Sequence, residues 1–230
     1  MKIAILGTGV VGMTLADGIT RLGHDVVIGT RDVAAARARR EPTPLGGPGF
    51  GAWAAEHPEV DVATMAEAAV DADLVINATS GEASIAALDA VGEDGLDGRV
   101  VIDAANPLDF SRGMPPTLSV VNDDSLGERL QRRFPSARIV KSLNTVAAAI
   151  MVDPGSLGEV HTMFVCGNDD EAKRATEALL RELGWSDVVD LGDITAARGM
   201  EMYLPLWLRM WGALGTHEFS IRIVRGDATG

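Results

Sequence analysis

The first thirty residues constrain the fold more than any other part of this chain. An apolar run at residues 3–6 leads into Gly7-Thr8-Gly9-Val10-Val11-Gly12, which has the spacing G-x-G-x-x-G. Helical spacing of apolar residues follows, at Val11, Leu15, Ile19 and Leu22, and a second apolar run occupies residues 26–28. A strand, a glycine turn, a helix and a strand in this order are typical of a dinucleotide-binding βαβ unit.

Each glycine of the motif has a predicted task. Gly7 is expected to permit the tight turn, Gly9 to let a pyrophosphate approach the backbone, and Gly12 to let helix and strand pack closely. Free N–H groups at the start of the helix would then face the anion.

Strand and helix patterns keep alternating along the rest of the chain. The alternation predicts an α/β fold, a Rossmann-type doubly wound parallel sheet, with a small α/β domain at the C-terminus. We expect a dinucleotide-binding domain over residues 1–153 and the small domain over residues 154–230. A loop is expected at 41–51, which is rich in Gly and Pro, and a long apolar helix near the C-terminus with Pro205 inside it.

The end of the second strand predicts which dinucleotide is bound. An acidic residue at this point would accept hydrogen bonds from a free ribose 2′-hydroxyl, but Thr30 and Arg31 stand here. A hydroxyl and a planar cation suit a 2′-phosphate, so the site is predicted to bind NADP, and Arg37 could add charge. NAD remains an alternative, because the carboxylate of Asp32 could turn inward and bind the 2′-hydroxyl of NAD. An Asp just before a helix more often caps that helix.

Composition excludes several classes of function. A net charge of −13 argues against nucleic acid and against anionic membranes as partners. Because Cys166 is the single cysteine, neither an intrachain disulfide nor a cysteine metal cluster is expected, and Cys166 itself is predicted to be a small buried side chain. No signal peptide or membrane span is predicted, so the expected compartment is the cytoplasm.

Small polar side chains mark the predicted carboxyl ends of three strands, where open parallel sheets bind ligands. They are Thr79 and Ser80, then Asn106, then Ser142, Asn144 and Thr145. Few side chains are placed where they could act as a general acid or base. The four histidines, at 24, 57, 161 and 217, are expected at the surface, and Lys141 ends a strand, where a lysine is usually solvated. No catalytic residue is predicted, which suits a hydride transfer that depends on proximity and orientation.

Four segments together resemble one known family. The "GTGVVG" loop, the "GTR" strand end, "NPL" at 106–108 and "KSLNT" at 141–145 are similar to the NADPH-dependent coenzyme F420 reductases (F420:NADP oxidoreductases). The closing segment from "DLGD" to "THEF" is similar to that family's C-terminal segment.

The resemblance implies a function and further site residues. It implies hydride transfer between nicotinamide and a deazaflavin, F420, held in the cleft between the two domains, and a homodimer. It also implies that NADP is held by Thr8, Val10, Val11, Thr30 and Arg31. The second cofactor would be approached by Ser142, Asn144 and the segment Leu204-Pro205-Leu206-Trp207.

Other functions stay open at this stage. The loop at 41–51 carries no obvious phosphate or deazaflavin ligand, so the acceptor could instead be a flavin, a quinone or an imine. A small-molecule dehydrogenase or imine reductase is one alternative, and an NADP-binding sensor without turnover is another. The apolar final helix is consistent either with a core helix or with a homodimer contact.

Overall fold

A single large sheet with helices on both faces organises the chain. The structure is a computed structural model that describes residues 1–42 and 47–226. In chain order the strands are β1 (Lys2–Leu6), β2 (Asp25–Thr30), β3 (Asp61–Thr64), β4 (Leu74–Asn77), β5 (Val100–Asp103), β6 (Leu108–Asp109), β7 (Thr117–Leu118), β8 (Arg138–Ser142), β9 (Thr162–Gly167) and β10 (Asp187–Asp190). The short strands β6 and β7 form a separate antiparallel hairpin.

The helices fill the connections between strands. They are α1 (Val10–Arg21), α2 (Val33–Ala38), α3 (Phe50–Glu56), α4 (Met65–Ala69), α5 (Gly81–Val91), α6 (Glu93–Leu96), α7 (Leu126–Arg133), α8 (Ala148–Val152), α9 (Asp170–Glu182), α10 (Ala197–Met202) and α11 (Leu204–Leu214). None of the helices in the described part of the chain is long and apolar enough to cross a membrane.

The strand order confirms the predicted Rossmann-type sheet. It runs β10-β9-β8-β5-β4-β1-β2-β3, and the six strands from β8 to β3 are parallel. The chain builds outward from β1 to β3 on one side and then from β4 to β8 on the other. The order therefore reverses between β1 and β4, and ligands of such sheets bind beyond the strand ends at this point.

Burial on both faces explains why the strands are continuous apolar runs. Ile3 and Ile5 of β1 belong to the core on one face of the sheet, and Ala4 and Leu6 belong to the core on the other. The alternation follows from the period of two in a strand. A strand covered by helices on both sides has no polar face, as expected for a parallel sheet.

The C-terminal part extends this same sheet. Strand β9 pairs antiparallel with β8, and β10 pairs parallel with β9, so the edge of the sheet departs from the predicted all-parallel arrangement. Antiparallel edge strands are common additions to doubly wound sheets. The division into domains at residue 153 stays a prediction.

Other local expectations were wrong or incomplete. Strand β3 and the β6–β7 hairpin were not anticipated, because each is very short. The long C-terminal helix is two helices that meet at Tyr203, with Pro205 in the first turn of α11, where its missing N–H costs no helical hydrogen bond. The predicted loop at 41–51 ends where α3 begins at Phe50, and its residues 43–46 lie outside the described residues.

Candidate dinucleotide groove and apolar cavity

The glycine loop between β1 and α1 has the geometry that its sequence predicts. Gly7 has φ of +122°, and a Cβ on it would lie 2.6 Å from the carbonyl oxygen of Ala78. A Cβ on Gly12 would lie 2.2 Å from the carbonyl oxygen of Gly7, so helix and loop pack in direct contact. Gly9 is the N-cap of α1, and no described atom lies within 4 Å of where its Cβ would be. The approach to the start of α1 is therefore open.

A groove runs from this loop across the ends of β2 and β4. Its lining includes Gly7, Thr8, Gly9, Thr30, Arg31, Asp32, Arg39, Thr79, Ser80 and Glu82. The predicted residues Thr30, Arg31, Thr79 and Ser80 are thus brought together with the glycine loop. Asp32 also lines the groove, but its Oδ1 accepts from the Ala35 N–H at 2.9 Å and caps α2. This is the capping role that the sequence favoured.

Arg39 joins the groove in place of Arg37. Its Nη2 donates to the carbonyl oxygen of Thr8 at 2.9 Å and to the Thr8 hydroxyl at 2.8 Å. Arg37 is exposed and does not line the groove, so the suggestion that it adds charge there is not supported. Nothing in the spacing of "RARR" separates Arg37 from Arg39. The difference arises because the chain turns at Arg39, the C-cap of α2.

A second space, the cavity, begins on the other side of the glycine loop. It has a volume of about 300 Å³ and is mostly apolar. Its walls include Val10, Val11, Ala104, Leu108, Val146, Met151, Leu204, Trp207, Leu208 and Trp211. The polar side chains on its walls are those of Thr14, Asn106, Asn144 and His217. An apolar cavity with a few polar groups is the usual form of a site for a flat organic ring.

Asn106 and Asn144 form a reciprocal pair at the cavity wall. Asn144 Nδ2 donates to Asn106 Oδ1 at 3.0 Å, and Asn106 Nδ2 donates to the Asn144 carbonyl at 2.9 Å. Asn144 Nδ2 also donates to the carbonyl of Met200 at 3.1 Å, which ties β8 to α10. Two buried groups at the same wall, Asn144 Oδ1 and Trp207 Nε1, have no partner among the described residues.

Beneath this wall lies a buried ionic cluster that the sequence did not predict. Lys141 was expected to be solvated, but it is fully buried, with Nζ 2.8 Å from Asp103 Oδ2 and 2.8 Å from Glu201 Oε1. Glu201 lies sixty positions further along the chain, so no local pattern reveals this contact. Burial by itself would lower the pKa of Lys141, but the two carboxylates raise it above its ordinary value. The lysine is therefore a structural cation and does not reach the cavity.

Several other candidates lie away from the cavity. Ser142 is buried and donates to the Phe164 carbonyl at 2.9 Å, and Leu206 is exposed on the outer side of α11. Cys166 is buried as predicted, and burial raises the pKa of its thiol to about 12. Trp211 and His217, which sequence reasoning did not propose, line the cavity, and His161 is buried and not at the surface.

Three comparisons place this geometry among known proteins. The family model for NADP oxidoreductase, coenzyme F420-dependent, matches residues 2–107. A crystal structure assigned as an F420-dependent NADP reductase from Arthrobacter sp. FB24 is 56% identical, with a TM-score of 0.92, and the match covers 98% of this chain and 100% of that one. The F420-dependent NADP reductase of Methanocaldococcus jannaschii is 28% identical over 90% of each chain.

The chain belongs to the F420-dependent NADP oxidoreductase family. The segment that the family model matches contains the glycine loop, Thr30, Arg31, Arg39 and Asn106. Helix α11, which supplies Trp207 to the cavity, lies beyond that segment but falls within the near full-length match to the Arthrobacter F420-dependent NADP reductase. The family resemblance inferred from the sequence is thereby confirmed over both halves of the chain.

Proposed function

We propose that the protein transfers a hydride between NADP(H) and a deazaflavin of the F420 type. One observation carries this proposal. Gly7, Thr8 and Gly9 line the groove, and the next two residues, Val10 and Val11, line the cavity. A dinucleotide whose pyrophosphate rests on the start of α1 would then extend its adenosine along the groove and its nicotinamide toward the cavity.

The residues of the groove fit NADP. The open backbone at Gly9 suits a pyrophosphate, and Thr30 with Arg31 at the end of β2 suits a ribose phosphate. Asp32, the acidic side chain nearest this point in the sequence, has Oδ1 engaged in capping α2. Because this oxygen accepts from the helix, it is not available to a free ribose 2′-hydroxyl, which favours NADP over NAD.

The cavity fits a flat ring system next to the nicotinamide. NADP(H) and the deazaflavin, when bound, supply the hydride donor and acceptor. The protein contributes apolar walls from Val11, Trp207 and Trp211 that exclude water, and a fixed asparagine pair that orients polar groups of a ring. The unpartnered Asn144 Oδ1 and Trp207 Nε1 are an acceptor and a donor for such groups once the wall adjusts to a ligand. Ser142 and Leu206, also proposed from the sequence, do not line this cavity.

The direct test mixes purified protein with NADPH and oxidised F420 and follows the loss of deazaflavin absorbance. We expect turnover with NADPH and at least about tenfold lower kcat/KM with NADH, which corresponds to 1.4 kcal/mol of selectivity. Turnover with FMN, a quinone or a cyclic imine in place of F420 would point to the alternative small-molecule reductases. A tight NADPH complex that reduces none of these acceptors would favour a sensor and contradict the proposal.

We also propose that the protein acts in the cytoplasm as a homodimer. The dimer is supported by apolar side chains that α10 and α11 leave exposed, among them Met202, Leu206 and Leu214. The family resemblance supports it as well. The compartment stays a prediction from the sequence.

A further inference from the structure

The side chain of Arg39 stands at the junction of the glycine loop and the adenosine end of the groove. Its Nη2 makes both contacts to Thr8, which leaves Nε and Nη1 with three N–H groups between them. No contact among the described residues occupies these three donors. They belong to a side chain that lines the same groove as Thr30 and Arg31.

The backbone at Arg39 is fixed, so its guanidinium starts from a defined position. The Arg39 N–H donates to the Ala36 carbonyl, and the Arg39 carbonyl accepts from the Gly51 N–H at 2.9 Å. Arg40 Nη1 donates to the Gly51 carbonyl at 2.7 Å, which closes a reciprocal contact between the end of α2 and the start of α3. The Arg39 guanidinium lies 5.8 Å from the ring centre of the buried Phe50. A side chain held by a ring, a hydroxyl and a carbonyl loses little further entropy when it binds a ligand.

The charges around the groove limit what Arg39 can bind. Arg31 and Arg39 are its cations, whereas Asp32 and Glu82 are its anions, and Asp32 Oδ1 is engaged with the Ala35 N–H. The pyrophosphate already has the N-terminus of α1 and the open backbone of Gly9. A second phosphate, further along the groove, is the anion that needs a second guanidinium.

We propose that Arg39 is a specificity-determining residue that binds the ribose 2′-phosphate together with Arg31, with Thr8 holding it in position. This inference rests on the proposed use of NADP. It adds that the preference for NADP depends on two arginines from two different segments, the end of β2 and the end of α2. It also gives Thr8 a role in positioning Arg39, beyond its place in the glycine loop.

The test measures binding without turnover. Dissociation constants for 2′,5′-ADP and 5′-AMP are measured by calorimetry, since the two ligands differ only in the 2′-phosphate. We expect Arg39→Ala to raise the dissociation constant for 2′,5′-ADP about tenfold or more, and that for 5′-AMP less than about twofold. Arg31→Ala should behave in the same way. Arg37→Ala is the matched control, because it removes an arginine of the same helix that lies outside the groove, and it should change neither constant.

Conservative variants separate the charge from the geometry. Arg39→Lys keeps a positive charge but loses the planar guanidinium. Its dissociation constant for 2′,5′-ADP should therefore fall between those of the parent and of Arg39→Ala. Thr8→Val removes the hydroxyl that accepts from Arg39 and leaves the carbonyl, so its effect should be smaller than that of Arg39→Ala. Circular dichroism and the melting temperature show whether each variant is folded.

The proposal is overturned if Arg39→Ala weakens both ligands equally, since Arg39 would then act on the pyrophosphate end or on the loop. An unchanged constant for 2′,5′-ADP overturns it too, as does a parent chain that binds 2′,5′-ADP no better than 5′-AMP. If the variants show the expected binding pattern but the parent reduces no deazaflavin, the assignment of Arg39 stands and only the proposed acceptor is wrong.

Discussion

At the scale of single residues, Lys141 shows how the site wall is supported from below. The fully buried ammonium lies between a carboxylate of β5 and a carboxylate of α10, and it also donates to the carbonyl of Ala105. Asp103 is tied in turn to Asn77, whose Nδ2 donates to Asp103 Oδ1 at 2.8 Å. A buried charge whose partner is removed is costly, so the members of this cluster depend on one another.

Replacing Lys141 with Met tests this dependence. We expect Lys141→Met to lower the free energy of unfolding by about 3–5 kcal/mol, because Asp103 and Glu201 would remain buried without their counter-charge. The folded pKa of Lys141 is raised, so its stabilisation is complete below the unfolded value of about 10.4 and is lost only as pH rises through the folded value. Urea unfolding at pH 7 therefore measures the full effect.

A surface ion pair supplies the control for this experiment. Arg21 and Asp17 are 2.9 Å apart on α1, and both side chains are well exposed. Arg21→Met should cost only about 0.3–0.5 kcal/mol. A loss for Lys141→Met as small as that of Arg21→Met would mean that the buried cluster contributes no more than a surface pair.

The sequence predicted side chains at strand ends better than side chains that meet across long separations. Asn106 and Asn144 were found because each lies within three residues of the end of a strand, and the ends of β5 and β8 are adjacent in the sheet. Lys141 is the penultimate residue of β8, but it also contacts Glu201, which only the packing of α10 brings near. Arg39 was missed for the same reason, because its position depends on Gly51 and Thr8.

At the scale of elements, α7 receives its stabilising contacts from several segments. Ser125 caps it by accepting from the Glu128 N–H, and the carboxylate of Glu201 accepts from the N–H groups of Leu126 and Gly127. Asp124, just before the cap, accepts from Arg129 at 2.9 Å and from Arg132 at 2.9 Å. Acidic groups at the start of this helix also interact favourably with its dipole.

Acid should weaken the contribution of Asp124. Partial burial alone would raise the pKa of Asp124, but hydrogen bonds from Arg129 and Arg132 lower it to about 2. A lowered folded pKa means stability that is present above the ordinary value near 3.8 and lost as pH falls through about 2. We expect Asp124→Asn to lower the free energy of unfolding by about 1 kcal/mol at pH 6 and by less at pH 2.5. The effect is modest because both arginines are exposed.

Urea midpoints of the parent and of Asp124→Asn at the two pH values measure this change. Asp123→Asn is the matched control, since it removes the neighbouring exposed carboxylate. A cost for Asp124→Asn that stays constant between pH 6 and pH 2.5 would show that the charge of Asp124 is not what stabilises α7.

The periodic elements were predictable and the irregular ones were not. The starts of α4 and α9 carry the residue types that typically mark helix N-termini: Thr64 and Glu67 form a capping box, and Asp169 caps α9. The antiparallel direction of β9 was not predictable, because its apolar run is the same in either direction. Predicting the break at Tyr203 would have required knowing where α10 packs, because Pro205 alone could either kink a helix or start one.

At the scale of the whole molecule, charge and apolar surface have different distributions. The chain carries a net charge of −13, yet the groove presents Arg31 and Arg39. Phosphate binding in such a protein depends on local cations, so its affinity should be set by those two arginines and not by the overall field. Among the exposed apolar side chains, Phe110 and Met114 lie in the segment before β7 and Leu206 lies on α11, and each is at least half exposed.

A homodimer that buries the outer side of α11 would explain the exposure of Leu206. Leu204 and Trp207 face the core, whereas Leu206 is 58% exposed on the opposite side of the same helix. A stable interface buries about 1,200 Å² or more in total, and exposed apolar side chains at its centre contribute most of the affinity. We therefore expect the parent to sediment as a dimer at micromolar concentration and Leu206→Glu to sediment as a monomer.

Leu22→Glu is the control, because it also charges an exposed leucine but at the end of α1, and it should leave the dimer intact. A monomeric parent would contradict the dimer outright, and a dimer that survives Leu206→Glu would move the interface to another face.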